Sequence, residues 1–271
     1  MSNPPLDQGV GGPESLGSDI TIAEVHIALK TSKPVSTPGL DQFTYGIIRA
    51  LPDDYLLVLT EIYNSLLREG EFPDQWSQAL IVLAPKPQGT GVRPIALLSC
   101  FLKLLEKVLY GRFRWYIENL GMLPDFQAGF RAGRSCTDNL VSLSSFIQAA
   151  FLQKKYVTCV FLDIVGAFDN VVPSILSQDL CDMDLPYYFR RFIDNLVTER
   201  KVFFTIDGEL RGPYVVHKDT PQGSILNPVL FKLYLKDISK HLDANANILQ
   251  YADDTALFVS SSMLAEAIST L

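Results

Sequence analysis

The alternation of apolar and polar positions changes period several times along the chain, and each change predicts an element. Ile20 to Leu29 (ITIAEVHIAL) reads as a short helix, with Thr21 as N-cap and Glu24 three residues on as its capping-box partner. The following KPVSTPGLDQF ends it, because its prolines and glycine do not continue a helix. Leu51 to Leu67 predicts a second helix with Leu56, Leu59, Ile62, Tyr63 and Leu66 on one side. Ala79 to Ala84 (ALIVLA) reads as a short buried strand stopped by Pro85 and Pro87. From Phe101 to Ile117 the period is again helical: Phe101, Leu104, Leu105, Val108 and Leu109 are apolar, with Lys103, Lys107 and Arg114 among the polar positions.

Val157 to Leu162 (VTCVFL) is β-rich and ends in Asp163. Val202 to Ile206 and Tyr214 to Val216 flank the turn signal Asp207-Gly208 and predict a hairpin. Pro228 to Leu242 reads as a helix with Leu230, Leu233, Tyr234 and Ile238 inward. Its Lys232, Lys236 and Lys240 form a solvated stripe. Ile248-Leu249 and Ala256 to Val259 flank Tyr251-Ala252-Asp253-Asp254 as a second hairpin. Strands and helices mix without strict alternation, which predicts an α+β fold. The Gly- and Pro-rich residues 1–19 read as a flexible leader, without the basic start and apolar run of a secretory signal.

Composition narrows the class. With 271 residues, 48% hydrophobic and 20% charged, the chain suits one large domain or two intimate subdomains rather than disorder. It contains no uncharged apolar run of about 18 residues, so no membrane association is expected. Cys100, Cys136, Cys159 and Cys181 form no C-x-x-C pair; they are expected reduced and mostly buried in an intracellular protein, nuclear or cytoplasmic. The net charge of −7 argues against a nucleic-acid partner, but its distribution argues the other way. Residues 1–76 carry a net −7, residues 77–134 a net +5 and residues 135–271 a net −5. A basic middle between acidic flanks suits a protein that grips phosphates in one place and metal ions in another, and equally a merely uneven surface.

Nucleotidyl transfer needs two divalent ions roughly 4 Å apart, held by hard oxygen ligands at rigid strand ends. Asp163 ends an apolar strand, and Asp253-Asp254 sit in a tight turn between two others. Two adjacent acids in a turn are often ordinary turn chemistry. Here they close a series: Arg93-Pro-Ile, Gly129-Phe-Arg-Ala-Gly-Arg-Ser135, Asp163-Ile-Val-Gly-Ala-Phe168-Asp169, Pro221-Gln222-Gly223-Ser224 and Tyr251-Ala-Asp-Asp254. In that order these motifs resemble the reverse transcriptases, especially those of non-LTR (LINE-type) retrotransposons, from about Ile20 onward.

The resemblance implies the fingers and palm of a right-hand polymerase, with an antiparallel palm sheet packed on helices. Fingers would lie mainly in 20–155 and about 185–220, and palm mainly in 156–184 and 221–271. Asp163, Asp253 and Asp254 would be catalytic and, with the main chain of Ile164, would hold Mg²⁺ or Mn²⁺. Phe168, Gln222, Gly223, Arg93, Lys86 and Tyr251 would bind the incoming dNTP, and Arg131 and Arg134 nucleic acid. The partners would be an RNA template, a DNA primer and dNTPs. A ring at Phe168 beneath the sugar leaves no room for a 2′-hydroxyl, which favours DNA as product. Val165-Gly166 and Asn227 depart from the common pattern, where a charged residue and a serine are usual. The chain stops at Leu271, shortly after the YADD hairpin, where relatives continue into a primer-gripping hairpin and thumb; the resemblance therefore implies a fragment with the thumb missing. Two rivals remain open: an inactive remnant that folds and binds nucleic acid, and an RNA-dependent RNA polymerase.

Overall fold

The computed structural model describes residues 16–85, 89, 91–217 and 220–271. In chain order the elements are α1 (Ile22–Lys30), α2 (Tyr45–Arg49), α3 (Asp53–Glu69), β1 (Gln78–Pro85), β2 (Val92–Leu97), α4 (Cys100–Asn119), α5 (Cys136–Leu152) and β3 (Tyr156–Leu162). They continue with α6 (Pro173–Asp182), α7 (Tyr187–Val197), β4 (Arg200–Ile206), β5 (Glu209–Val216), α8 (Asn227–Tyr234), β6 (Asn247–Tyr251), β7 (Asp254–Ser261) and α9 (Leu264–Ser269). They divide into two compact units. One holds Leu120–Ala167 and Pro228–Leu271, here the carboxylate unit; the other holds the described part of Gln8–Asn119 with Phe168–Asn227, here the loop unit. Residues 120–155, expected with the fingers, cluster with the carboxylate strands.

In the loop unit a four-stranded sheet runs β2-β1-β4-β5, with β1 parallel to β4 and the other pairs antiparallel. The Asp207-Gly208 hairpin forms as expected between β4 and β5. The strand expected at Ala79 to Ala84 is present in β1, but Val82 and Leu83 are exposed, so it is not a buried strand. α1 starts as the sequence indicates: the Thr21 side chain accepts from Glu24 N–H, and the Glu24 carboxylate accepts from Thr21 N–H. Glu24 then turns inward to meet Arg112 of α4, whose Nε and Nη2 each donate to it at 2.7 Å. Burial works to raise the Glu24 pKa, but hydrogen bonds from Arg112 and Thr21 outweigh it and hold it below 4.5.

Arg112 also donates to the carbonyls of Ser18 (2.6 Å) and Asp19 (3.0 Å), and Leu16 is only 1% exposed. Residues 16–19, expected to belong to the leader, are therefore packed against the loop unit; residues 1–15 lie outside the described residues. In α3 the buried stripe is Leu56, Leu59, Thr60, Tyr63, Asn64 and Leu67, whereas Ile62 is exposed. The inward side is rotated because Asn64 is drawn in to bond both backbone groups of Ile20.

In the carboxylate unit a three-stranded antiparallel sheet runs β3-β7-β6, with α5 and α9 packed on it. Central β7 buries Leu257, Phe258 and Val259, and Phe146 of α5 meets Phe258 edge-on at 4.8 Å. α5 begins with a second capping box, Ser135 with Asp138, so the last residue of the GFRAGRS motif is a helix cap. The helix expected over Pro228 to Leu242 stops at Tyr234. Its backbone then tightens to i→i−3 bonds and re-forms as a 3₁₀ turn at Ile238–His241. Lys232 is not part of a solvated stripe: it is 2% exposed, and its ammonium donates to Phe130 O at 3.0 Å. Of the cysteines only Cys100 is buried; Cys136 and Cys181 are exposed and Cys159 is intermediate, against the expectation that most would be inside.

Candidate active site: the carboxylate hairpin

β6 and β7 are joined by a two-residue turn, with Tyr251 paired to Asp254 and Ala252-Asp253 between them. Ala252 has φ +60°. A positive φ at the first central position of a two-residue hairpin normally calls for glycine. An alanine there costs roughly 1–2 kcal/mol. The turn is held by partners from another segment, a side-chain amide at Ala252 and backbone groups at Gln250. Gln127 is 1% exposed; its Oε1 accepts from Ala252 N–H (3.3 Å) and Gly129 N–H (2.9 Å), and its Nε2 donates to Ala252 O (3.3 Å). Ala128 N–H donates to Gln250 O and Gln250 N–H to Phe126 O, both at 2.8 Å. Residues 126–129 thus run beside β6 as a short parallel bridge.

Gly129, the first residue of the GFRAGRS motif, lies against the turn itself. A Cβ added there would stand 2.2 Å from Ala252 N. Asn139 of α5 adds a bond from Nδ2 to Gln250 O at 3.1 Å. Arg131 and Arg134 hold the same loop from within. Arg131 donates to Pro124 O (2.9 Å) and Gln127 O (3.3 Å), and Arg134 to Asp125 O (2.5 Å) and the Asp125 carboxylate (2.6 Å).

The β3–β7 register ends at Leu162 opposite Thr255. One step further it sets Asp163 across from Asp254, on the same face of the sheet. Asp163 and Asp254 are exposed and Asp253 is half-buried. Among the described residues none of the three carboxylates has a hydrogen-bond or ion-pair partner. Ile164 follows Asp163 just outside the strand. A groove of about 260 Å³ opens beside Asp254, walled by Leu140, Leu143, Phe161, Leu162, Leu249 and Tyr251.

Among the described residues no three His, Cys, Asp or Glu side chains gather into a closed metal cage. The donor set nevertheless fits a hard divalent ion. Such an ion uses one or two carboxylates and fills its remaining positions with water and substrate phosphate oxygens. Carboxylates on facing strand ends, without a partner among the described residues, are the donors such a shell would take from the protein.

The other expected residues belong to the loop unit, apart from Lys86, which lies outside the described residues. Arg93 on β2 is exposed and without a partner among the described residues. Gln222 donates from Nε2 to the Asp169 carboxylate at 2.9 Å, and its carbonyl accepts from Ala96 N–H at 2.9 Å. Gly223 has φ +152°, and a Cβ there would stand 2.2 Å from Ala96 O, so the close approach it permits is to β2. Half-buried Phe168 accepts at its carbonyl from Thr220 N–H at 3.1 Å. Asn227 donates to the carbonyls of Thr220 and Pro221 at 3.4 and 3.3 Å, bracing the loop it departs from in type.

Glu106 of α4, fully buried, holds that loop from below. Its Oε2 accepts from Ser224 Oγ (2.8 Å), Ile225 N–H (2.5 Å) and Leu226 N–H (3.4 Å), while Oε1 has no partner among the described residues. Burial pushes its pKa up to about 7 in spite of these donors. Sequence reasoning missed Gln127, Asn139, Lys232 and Glu106. The signal for Gln127 was the glycine two residues after it, whose need for close approach implies a nearby backbone.

Four of the eight basic side chains of residues 77–134 are engaged within the fold: Arg112 pairs with Glu24, Lys107 donates to Ser32, and Arg131 and Arg134 tie their own loop.

Residues 84–270 match the family model described as "Reverse transcriptase (RNA-dependent DNA polymerase)". The chain is 32% identical over 260 residues to a "Probable RNA-directed DNA polymerase from transposon BS" of Drosophila melanogaster, covering 92% of this chain and 28% of that protein. It is 32% identical over 263 residues to an "RNA-directed DNA polymerase from mobile element jockey" of Drosophila funebris, covering 93% and 29%. To the "Probable RNA-directed DNA polymerase from transposon X-element" of Drosophila melanogaster it is 29% identical, covering 87% and 26%. The chain spans less than a third of the length of these relatives.

Proposed function

The chain belongs to the reverse transcriptase family, as a domain of the non-LTR retrotransposon type, and from that premise we propose that it adds dNTPs to the 3′-hydroxyl of a DNA primer on an RNA template. The observation that carries the reading is the juxtaposition of Asp163 and Asp254 by strand register, with Asp253 beside them in the turn and, among the described residues, no cation paired with any of the three.

Asp163, Asp253 and Asp254, with the main chain of Ile164, would hold Mg²⁺, with Mn²⁺ as the substitute of similar preference. When bound, a pair of such ions activates the primer hydroxyl and neutralises charge on the triphosphate. The rigid sheet fixes the carboxylates before substrate arrives, so little reorganisation is left for the reaction itself. Tyr251, at the rim of the apolar groove, would bear on the substrate beside them. Arg93, exposed and without a partner among the described residues, offers a guanidinium suited to phosphate oxygens. Phe168 would exclude a 2′-hydroxyl, and Gln222, oriented by Asp169, would meet the nucleotide. Arg131 and Arg134 serve nucleic acid indirectly under this reading, by shaping the loop that supports the hairpin.

Primer extension on an RNA template, comparing the parent with Asp253→Ala, tests the assignment. Loss of metal-dependent extension by a factor of at least 10²–10³ is expected, the scale seen when a single charge-stabilising group is removed from a preorganised site. Undiminished extension by the variant would remove Asp253 from the site.

A further inference from the structure

Resting on the reading of Asp163, Asp253 and Asp254 as metal-holding carboxylates, we propose that Gln127 is a positioning residue for the catalytic hairpin: its side-chain amide clamps the Ala252 peptide in its left-handed conformation and thereby aims Asp253 and Asp254.

Three observations converge on it. Gln127 is buried, yet its amide is spent on a single distant residue and one near neighbour, accepting from Ala252 N–H and Gly129 N–H and donating to Ala252 O. A primary amide carries an acceptor oxygen and a donor nitrogen side by side, so it can satisfy an N–H and a C=O of the same residue at once. The residue it clamps is the one with the unfavourable backbone: Ala252 has φ +60° where glycine is the ordinary occupant. That residue also immediately precedes the two adjacent acids, so a change in its φ or ψ redirects both carboxylates. Finally, Gly129 closes the other side, with no room for a Cβ against Ala252 N. The clamp and the close approach together leave the turn one conformation. A generic buried glutamine would satisfy itself on any available backbone; this one is fitted to the strained residue of the site.

The clamp has a consequence that separates it from simple packing. If Gln127 acts by holding Ala252 at positive φ, then a glycine at 252, which adopts that φ without steric cost, should partly replace it. Tb³⁺ is a suitable probe, since it takes hard oxygen ligands and its emission is excited through a nearby tyrosine such as Tyr251. Titrations of the 271-residue chain would compare the parent, Gln127→Met, the double variant Gln127→Met/Ala252→Gly, and Asp253→Asn/Asp254→Asn as the blank.

The expected result is carboxylate-dependent Tb³⁺ binding in the parent and about tenfold weaker binding in folded Gln127→Met. Recovery to within about threefold of the parent is expected in the double variant, the scale of one left-handed residue's conformational preference. A merely structural Gln127 would lower the melting temperature but leave the affinity of the folded fraction unchanged, and that outcome overturns the proposal. So does a weakened affinity that glycine at 252 fails to rescue. Should Gln127→Met not fold, recovery of a cooperative melt in the double variant supports the clamp and its absence refutes it. If the parent itself shows no binding that the blank removes, the carboxylate reading falls and the proposal with it. That result is distinct from normal parent binding with an indifferent Gln127→Met.

Discussion

Replacing Glu106 by glutamine should flatten the pH dependence of folding stability between about pH 4.5 and 7. The carboxyl is fully buried, and three donors to Oε2 would ordinarily favour its charged form; burial wins, and the pKa rises from 4.5 to about 7. In the unfolded chain the same group ionises near 4.5, so between these values the folded state holds a proton that the unfolded state has released. Stability is then fully present below pH 4.5 and falls as pH rises toward 7. The displacement of about 2.5 pH units corresponds to something on the order of 3 kcal/mol. Glutamine keeps an oxygen for Ser224, Ile225 and Leu226 but does not titrate, so this decline should vanish. The assay is urea unfolding at pH 5, 6, 7 and 8 at constant ionic strength, followed by tryptophan fluorescence. Both tryptophans, Trp76 and Trp115, lie in the same unit as Glu106. The quantity to plot is the stability difference between parent and variant against pH. If that difference does not change with pH, Glu106 is not the group carrying the proton, and burial has not outweighed its hydrogen bonds.

Two further perturbations test other parts of the structure. Among the described residues Arg112→Met leaves the buried Glu24 carboxylate with only Thr21, and should cost about 3–5 kcal/mol in the same urea assay. It should also abolish the loss of stability that the parent shows as pH falls below 4.5, since the lowered Glu24 pKa contributes stability only above that range. Phe168→Val should relax selection against ribonucleotides by roughly 10- to 100-fold in extension with rNTP and dNTP competitors, the range expected when a pocket wall loses a few carbons. Unchanged discrimination would relieve Phe168 of the gating role.

What the sequence made legible was local. The α1 capping box needs only Thr21 and Glu24, three residues apart, and both hairpins follow from turn chemistry flanked by β-rich runs. The facing of Asp163 and Asp254 was half legible, since each was visibly at a strand end but their register depends on β3 pairing with β7 across nearly a hundred residues of chain. The errors have a common physical origin in tertiary contacts that override period. Lys232, Lys236 and Lys240 repeat every fourth residue, yet the helix ends at Tyr234 and Lys232 is taken inside by a carbonyl of the Arg131 loop's neighbour, Phe130. Ile62 satisfies a helical stripe on paper, but polar Asn64 is claimed by Ile20 and turns the helix accordingly.

The motifs themselves change meaning once their partners are seen. Glycines in such motifs invite the reading that a ligand approaches closely there, and in this chain two of them receive another stretch of backbone. Gly129 admits Ala252 of the YADD turn, and Gly223 admits Ala96, one residue past the RPI motif. Glu106, which no motif includes, fastens the segment that begins with Gln222-Gly223 by gripping Ser224, Ile225 and Leu226. Motifs far apart in sequence are therefore halves of the same contacts: GFRAGRS with YADD in one unit, and RPI with PQGS in the other. A substitution at either glycine should act by displacing the chemistry-bearing neighbour (Asp253 or Gln222) rather than by touching substrate. A polymerase reading based on the motifs as separate ligand contacts would assign those glycines to the nucleotide alone; the backbone distances show that each also makes room for a second stretch of the chain.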